Sequence, residues 1–151
     1  MAFNSGKYDV LILGTGASGL YAALNLDSDL NILICSKREL KLSNSSLAQG
    51  GVAAVLDEKN DKVEYHINDT MIAGRQANNP HTVEILCSEG ASDVRNIYKM
   101  GCDFDKNEDG SLHLTLEGGH SCHRIAHHKD STGDAMTTTL IEQVRSLRNV
   151  E

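Results

Sequence analysis

Gly14-Thr15-Gly16-Ala17-Ser18-Gly19 has the spacing G-x-G-x-x-G. Each glycine in such a run has a physical task. Gly14 permits a tight turn, Gly16 lets the backbone approach a diphosphate, and Gly19 lets the following helix pack closely on the preceding strand. Free N–H groups and the partial positive charge at a helix N-terminus then face the phosphates. A glycine-rich structural turn would look the same in isolation. The context favours dinucleotide binding, because an apolar run precedes the motif and a helical pattern follows it.

The type of dinucleotide is not fixed by the next polar stretch. Nucleotide sites for NAD carry an acid after the second strand to take the ribose hydroxyls. Here Ser36-Lys37-Arg38 follows Cys35, and the nearest acid is Glu39. Ser36 can bond a ribose hydroxyl. Lys37 and Arg38 suit a 2′-phosphate, or are simply solvated loop charges. Ser43 to Val55 then joins small hydrogen-bonding residues to the pair Gly50-Gly51. Such a stretch can lie against a flat cofactor because little side chain shields the backbone. By composition it is equally a surface loop.

Two further groups carry chemistry. Glu117-Gly118-Gly119-His120 sets a carboxylate beside a turn, where it can pair with a substrate ammonium or stand as an ordinary solvated acid. His120, Cys122, His123, His127 and His128 form a histidine-rich segment. His123 and His127 are spaced to share a helical face. The segment lacks a paired C-x-x-C or H-E-x-x-H frame, so loop and helix-cap roles are favoured over zinc. Arg124 either meets a carboxylate or braces the loop.

These groups need elements to position them. Tyr8 to Leu13 reads as a buried strand, Leu20 to Leu26 as a helix with Leu20, Ala23 and Leu24 on one face, and Asn31 to Cys35 as a parallel neighbour. That is a βαβ unit. Val52 to Leu56 is a candidate strand. Val63, Ile67 and Met71 predict a helix ending near Gly74. Asn79-Pro80 is a break. Val83, Leu86, Gly90, Val94 and Ile97 predict a second helix, capped by Gly101. Cys102 to Asp105 and Leu112 to Leu116 flank a turn and predict a hairpin. Asp130 to Gly133 reads as a turn with Ser131 or Thr132 as cap. A last helix spans Gly133 to Leu147, with Met136, Leu140, Val144 and Leu147 on one face. Asn149 to Glu151 resembles the start of another strand.

Composition sets the outer limits. At 151 residues and net charge −7, the chain has no basic stripe to meet nucleic acid and no polybasic membrane patch. No apolar run approaches the roughly 18 residues that span a bilayer. Met1 to Lys7 lacks the apolar stretch of a signal peptide. The cysteines, Cys35, Cys87, Cys102 and Cys122, lack disulfide-like spacing, so a reduced, cytoplasmic setting is expected.

The glycine turn, S-S-L-A-Q-G-G-V-A-A-V at residues 45–55 and L-E-G-G-H-S-C-H-R-I-A-H-H-K-D-S-T-G at residues 116–133 occur in order and together resemble the L-aspartate oxidase family. That family groups with the flavoprotein subunits of succinate dehydrogenase and fumarate reductase. The resemblance covers nearly the whole chain. It implies an α/β, Rossmann-like FAD-binding βαβ domain with inserted helices and a β-hairpin. It implies that residues 1–151 are part of that domain, with a capping domain and a C-terminal helical domain elsewhere.

The implied activity is oxidation of L-aspartate to iminoaspartate in de novo NAD synthesis. Oxygen or fumarate reoxidises the flavin, and quinolinate synthase takes the product. By position, the resemblance places Thr15, Gly16, Ala17 and Ser18 at the pyrophosphate and Lys37 near the adenosine half. It places Asn44, Ser45, Ser46, Leu47, Ala48, Gln49, Gly50 and Gly51 along the ribityl chain and flavin ring. Dicarboxylate dehydrogenase relatives bond FAD covalently through a histidine in this loop. The matching residue here is Asn44, whose amide is not the required nucleophile, so non-covalent FAD is expected. Glu117 matches the acid that orients aspartate through its amino group. The base-like arginine and most carboxylate clamps belong to later segments, so the 151 residues alone are expected to be inactive.

Overall fold

The computed structural model describes residues 6–151. Most of the stretch read for a leader, residues 1–5, lies outside the described residues. Two compact units emerge: one holds the chain up to Ala48 together with Gly133–Glu151, and the other holds Gln49–Thr132.

In the first unit, β-branched and leucine-rich runs form β1 (Val10–Leu13) and β2 (Ile32–Cys35), paired parallel with Val10 opposite Ile32 and Leu13 opposite Cys35. Helix α1 (Ala17–Asn25) connects them and buries Leu20 and Ala23. This is the expected strand–helix–strand order. Strand β1 is not a buried strand, however: its burial alternates, and Leu11 and Leu13 are 56% and 79% exposed. Residues 149–151 do continue the sheet. Val150 bridges Ile32 in parallel, the Ile32 N–H donates to Asn149 O at 2.8 Å, and the Ile34 N–H donates to Glu151 O at 2.8 Å. The last helix, α4 (Thr132–Ser146), buries Thr137, Leu140, Ile141 and Val144.

The second unit contains β3 (Val52–Ala53), α2 (Val63–Ala73), α3 (Pro80–Lys99), β4 (Leu114–Thr115) and β5 (Ile125–Ala126). Helix α2 ends at Gly74 as its stripe predicted, but its buried residues are His66 and Asp69; Val63, Ile67 and Met71 are only half-buried. Asn79-Pro80 starts α3 rather than merely breaking the chain. The Asn79 carboxamide accepts from the Thr82 N–H at 3.1 Å, and Pro80, whose N–H is not needed there, occupies the first turn. The buried stripe of α3 is Val83, Cys87, Val94 and Ile97, while Leu86 is exposed. Gly101 follows the helix with φ +106°, the left-handed cap geometry that glycine adopts without strain.

The expected hairpin survives only as the bridge Lys106–Leu112 and a bond from the His113 N–H to Asp105 O. The ladder instead joins β5 antiparallel to both β3 and β4, in the order β3-β5-β4. Strands two residues long carry too little alternation to reveal their partners.

Candidate functional site

In the first unit, the glycine turn has the geometry its spacing requires. Gly14 sits at φ +119°, and its N–H donates to Cys35 O at 2.8 Å, which ties the turn to the end of β2. An added Cβ on Gly19 would collide with Gly14 O, so only glycine brings α1 this close to β1. A Cβ on Gly16 would stand 3.1 Å from Ser45 Oγ. Ser45 Oγ accepts from the Ala17 N–H at 3.1 Å. The glycine turn and the later serine loop therefore meet at the start of α1.

A cavity of about 390 Å³ opens there. It is lined by Gly14, Thr15, Ser36, Lys37, Arg38, Glu39, Leu42, Ser43 and Asn44. Eight of these, all but Leu42, were singled out from sequence, with Arg38 and Glu39 noted as loop charges and Ser43 as the start of the small-residue stretch. Thr15 is buried and its hydroxyl donates to Ser36 Oγ at 3.0 Å, while Ser36 donates to Arg38 O at 2.7 Å. These bonds fix the wall of the cavity after β2. Lys37 is exposed, as is Ser18 on α1.

The double-glycine stretch falls across the two units. Asn44 to Ala48 belong to the first, Gln49 to Gly51 to the second. Ser46 is buried; its Oγ lies 2.8 Å from Ser43 Oγ and accepts from Thr137 Oγ1 at 3.0 Å. Leu47, Ala48, Gln49 and Gly50 are exposed. The Gly133 N–H donates to Ala48 O at 3.0 Å. Gly133 and Thr137 thus shape the serine loop, and the sequence reading missed both. The available signal was a glycine at the first turn of a helix, where it costs stability unless something packs against it. Gly51 answers to packing: a Cβ there would strike Ile125 Cγ2 and Ala126 O, so glycine lets β3 lie against β5.

In the second unit, Glu117 is exposed on the loop between β4 and β5. A Cβ built on Gly50 would have Glu117 Oε2 as its nearest neighbour, at 4.0 Å, so the acid stands over the double glycine. The His120 N–H donates to Glu117 O at 3.2 Å, closing a turn that needs Gly119 at φ +86°.

Behind this loop lies a buried ionic cluster. Arg124 has no exposed surface. Its Nε and one terminal nitrogen donate to Asp61 at 2.9 and 2.8 Å, and the other donates to Asp69 at 2.7 Å. Asp69 also accepts from the N–H and hydroxyl of Ser121 at 2.8 and 2.7 Å. Arg124 therefore braces the loop on the protein's own carboxylates. Burial alone would raise the Asp69 pKa, but the Ser121 bonds and Arg124 outweigh it and hold the carboxyl below its ordinary value. Burial, then the nearby charge of Arg124, pushes His66 below the usual imidazole range.

His123 and His127 share no helical face, because β5 runs between them. His127 Nε2 instead meets His113 Nδ1 at 2.8 Å, and its Nδ1 lies 3.2 Å from Asp105. His128 meets Asp103 O. Thr132 begins α4, and its hydroxyl accepts from the His128 N–H at 3.0 Å. Among the described residues no group of His, Cys, Asp and Glu is arranged to hold a metal. A cleft of about 610 Å³ in this unit is lined by Arg95, His113 and His123 among others; it contains none of the residues expected to hold cofactor or substrate.

A glycine turn leading into a helix, with a second small-residue loop bonded to that helix start, is a nucleotide-binding architecture. The chain belongs to the FAD binding domain family, whose model it matches over residues 9–151. Its relatives include the L-aspartate oxidases of Clostridium acetobutylicum and Acinetobacter baylyi, to which it is 41% and 44% identical over 143 residues. Both alignments cover 95% of this chain, and 32% and 26% of the relatives. Among solved structures, E. coli quinol fumarate reductase superposes with a TM-score of 0.91 at 27% identity, over 95% of this chain and 25% of that one. The chain thus spans about a third or less of the proteins it matches.

The cofactor is FAD, which decides the choice between nicotinamide and flavin that Ser36-Lys37-Arg38 left open. The residues present fit it: three positions tolerate only glycine or little more, and hydroxyl and charged side chains line much of the adjoining cavity. Among the described residues no helix is long and apolar enough to cross a membrane.

Proposed function

We propose that this chain forms the cofactor-binding part of a flavoenzyme that oxidises L-aspartate to iminoaspartate, the first step of de novo NAD synthesis. Identity of 41–44% to L-aspartate oxidases over 95% of the chain supports this. The observation that carries it is Glu117, a carboxylate standing over Gly50 in the loop assigned to the flavin. On this reading the parallel strands β1, β2 and residues 149–151 begin a Rossmann-like sheet in a cytoplasmic protein. The capping domain, the C-terminal helical domain, the base-like arginine and most carboxylate clamps lie outside these 151 residues, which alone are inactive.

When bound, FAD supplies the hydride acceptor, and oxygen or fumarate then takes the electrons. Thr15, Gly16, Ala17 and Ser18 hold the diphosphate, Ser36 and Lys37 the adenosine half. Asn44 to Gly51 line the ribityl chain and ring. Glu117 pairs with the substrate ammonium and so turns the Cα hydrogen toward the ring, a positioning that converts binding into rate. Iminoaspartate is passed on to quinolinate synthase.

Glu117→Gln in the full-length enzyme tests the assignment. It removes a charge-assisted bond of about 1.5–3 kcal/mol, which lowers kcat/KM for L-aspartate by roughly ten- to a hundredfold. Fumarate has no ammonium, so its reduction should fall by no more than about threefold. Equal losses for both substrates would remove Glu117 from the role. The attachment of FAD is tested separately. Asn44 offers no nucleophile, so acid precipitation of the full-length protein should leave all the yellow colour in the supernatant. Flavin retained in the washed pellet would contradict non-covalent binding.

A further inference from the structure

We infer that Ser121, held by the buried carboxylate of Asp69, is a positioning residue for Glu117: the pair fixes where that acid stands and so sets the preference for a substrate that carries an ammonium. This deepens the proposed function and rests on its assignment of Glu117.

One face of α2 carries the loop. His66, Asp69 and Ala73 are spaced at helical intervals and so lie along one side of the helix. Consecutive loop residues meet them. A Cβ on Gly119 would stand 3.9 Å from Ala73 Cβ. The His120 ring lies beside His66, with centroids 5.8 Å apart. Ser121 is bound to Asp69. The turn that begins at Glu117 closes on the same segment, because the His120 N–H donates to Glu117 O. Glu117 therefore stands at the free end of a turn whose other end is fastened to the helix.

The fastening converges on one atom. Asp69 Oδ2 accepts from the Ser121 N–H at 2.8 Å, from the Ser121 hydroxyl at 2.7 Å and from a terminal nitrogen of Arg124 at 2.7 Å. Asp61 alone neutralises the guanidinium, through bonds of 2.9 and 2.8 Å. Asp69 thus adds a second buried negative charge, which is costly unless donors surround it. Ser121 supplies donors that the neutralisation of Arg124 does not need. Bonds to an ionised acceptor are shorter and stronger than neutral ones, so they hold residue 121 firmly against α2. Ser121 itself is exposed, so its hydroxyl shapes the loop rather than the core. A small displacement of a group that orients a substrate costs rate steeply. That cost falls on a substrate with an amine, because one without an amine makes no bond to Glu117.

The test uses the FAD-loaded full-length protein. Ser121→Ala removes the hydroxyl bond and leaves the N–H; Ser121→Thr keeps the hydroxyl. kcat/KM for L-aspartate should fall about tenfold in the alanine variant and stay within about threefold of wild type in the threonine variant. Fumarate reduction should change by less than about threefold in both. In a Glu117→Gln background, Ser121→Ala should cost less than about twofold more, because its effect runs through the missing carboxylate. Amide hydrogen exchange, measured without substrate, should be at least about fivefold faster at residues 119–121 in Ser121→Ala and unchanged in β5. Equal losses for aspartate and fumarate in Ser121→Ala, a loss that adds in full to that of Glu117→Gln, no rescue by threonine, or unaltered exchange would each overturn the inference while leaving Glu117 in its role. A Glu117→Gln variant that treats both substrates alike would bring down the functional assignment and this inference together.

Discussion

Replacing Arg124 with Met should destabilise the protein by about 3–5 kcal/mol, read as a fall in the urea midpoint. The size comes from what stays behind. Asp61 and Asp69 are both buried and both rely on this guanidinium, through contacts of 2.7 to 2.9 Å. Without it two carboxylates face each other out of water, and a buried charge without a partner costs far more than the pair contributes. Adding Asp61→Asn and Asp69→Asn to Arg124→Met should therefore recover a large part of the loss. A single-variant cost below about 1 kcal/mol would contradict the burial of the cluster. The cluster also sets an acid limit. The Asp69 carboxyl is held below its ordinary value, so its contribution is complete above the unfolded value near 3.9 and disappears as pH falls through the lowered one. The wild-type chain should lose stability across that acidic window, and the triple variant should lose less.

This cluster marks where the sequence stopped being legible. Bracing by Arg124 was one of two sequence readings, but its partners Asp61 and Asp69 were not named, because their proximity is created by the β4–β5 hairpin and by α2. Those strands are two residues long and have no period to detect. The stripe on α2 misled for a different reason: its apolar residues are half-buried, while the ionic cluster takes Asp69 inside and His66 is buried beside it. The glycine turn was legible because its requirements are local. A positive φ at Gly14 and contact between Gly19 and Gly14 O are set within six residues. The two longest helices, α3 and α4, were legible as well, since their length gives an apolar stripe time to declare itself. The serine loop stood between these cases. Its small residues were visible, but the helix that holds it comes from the far end of the chain.

Gly133→Ala puts that hold to the test, and two effects of opposite sign meet in it. Alanine favours a helix over glycine by about 1 kcal/mol, so on propensity alone α4 would gain. An added Cβ would, however, strike Ser45 O and come within 2.7 Å of Ala48 O. Both obstacles are backbone carbonyls, which cannot swing aside as a flexible side chain can. The loop must move away, breaking the bond from the Gly133 N–H to Ala48 O and displacing Ser45, whose hydroxyl caps the Ala17 N–H. Overpacking of this kind costs about 1–3 kcal/mol, which outweighs the helix gain. Because the displaced loop is also the one that meets the glycine turn, most of the loss should appear in cofactor affinity. The Kd for FAD of the full-length protein, measured by quenching of flavin fluorescence, should rise at least about tenfold. The Arg124 cluster lies in the other unit and should keep its own unfolding behaviour. A variant that binds FAD as tightly as the wild type and melts at a higher temperature would show that helix propensity governs this position and that the serine loop does not depend on α4.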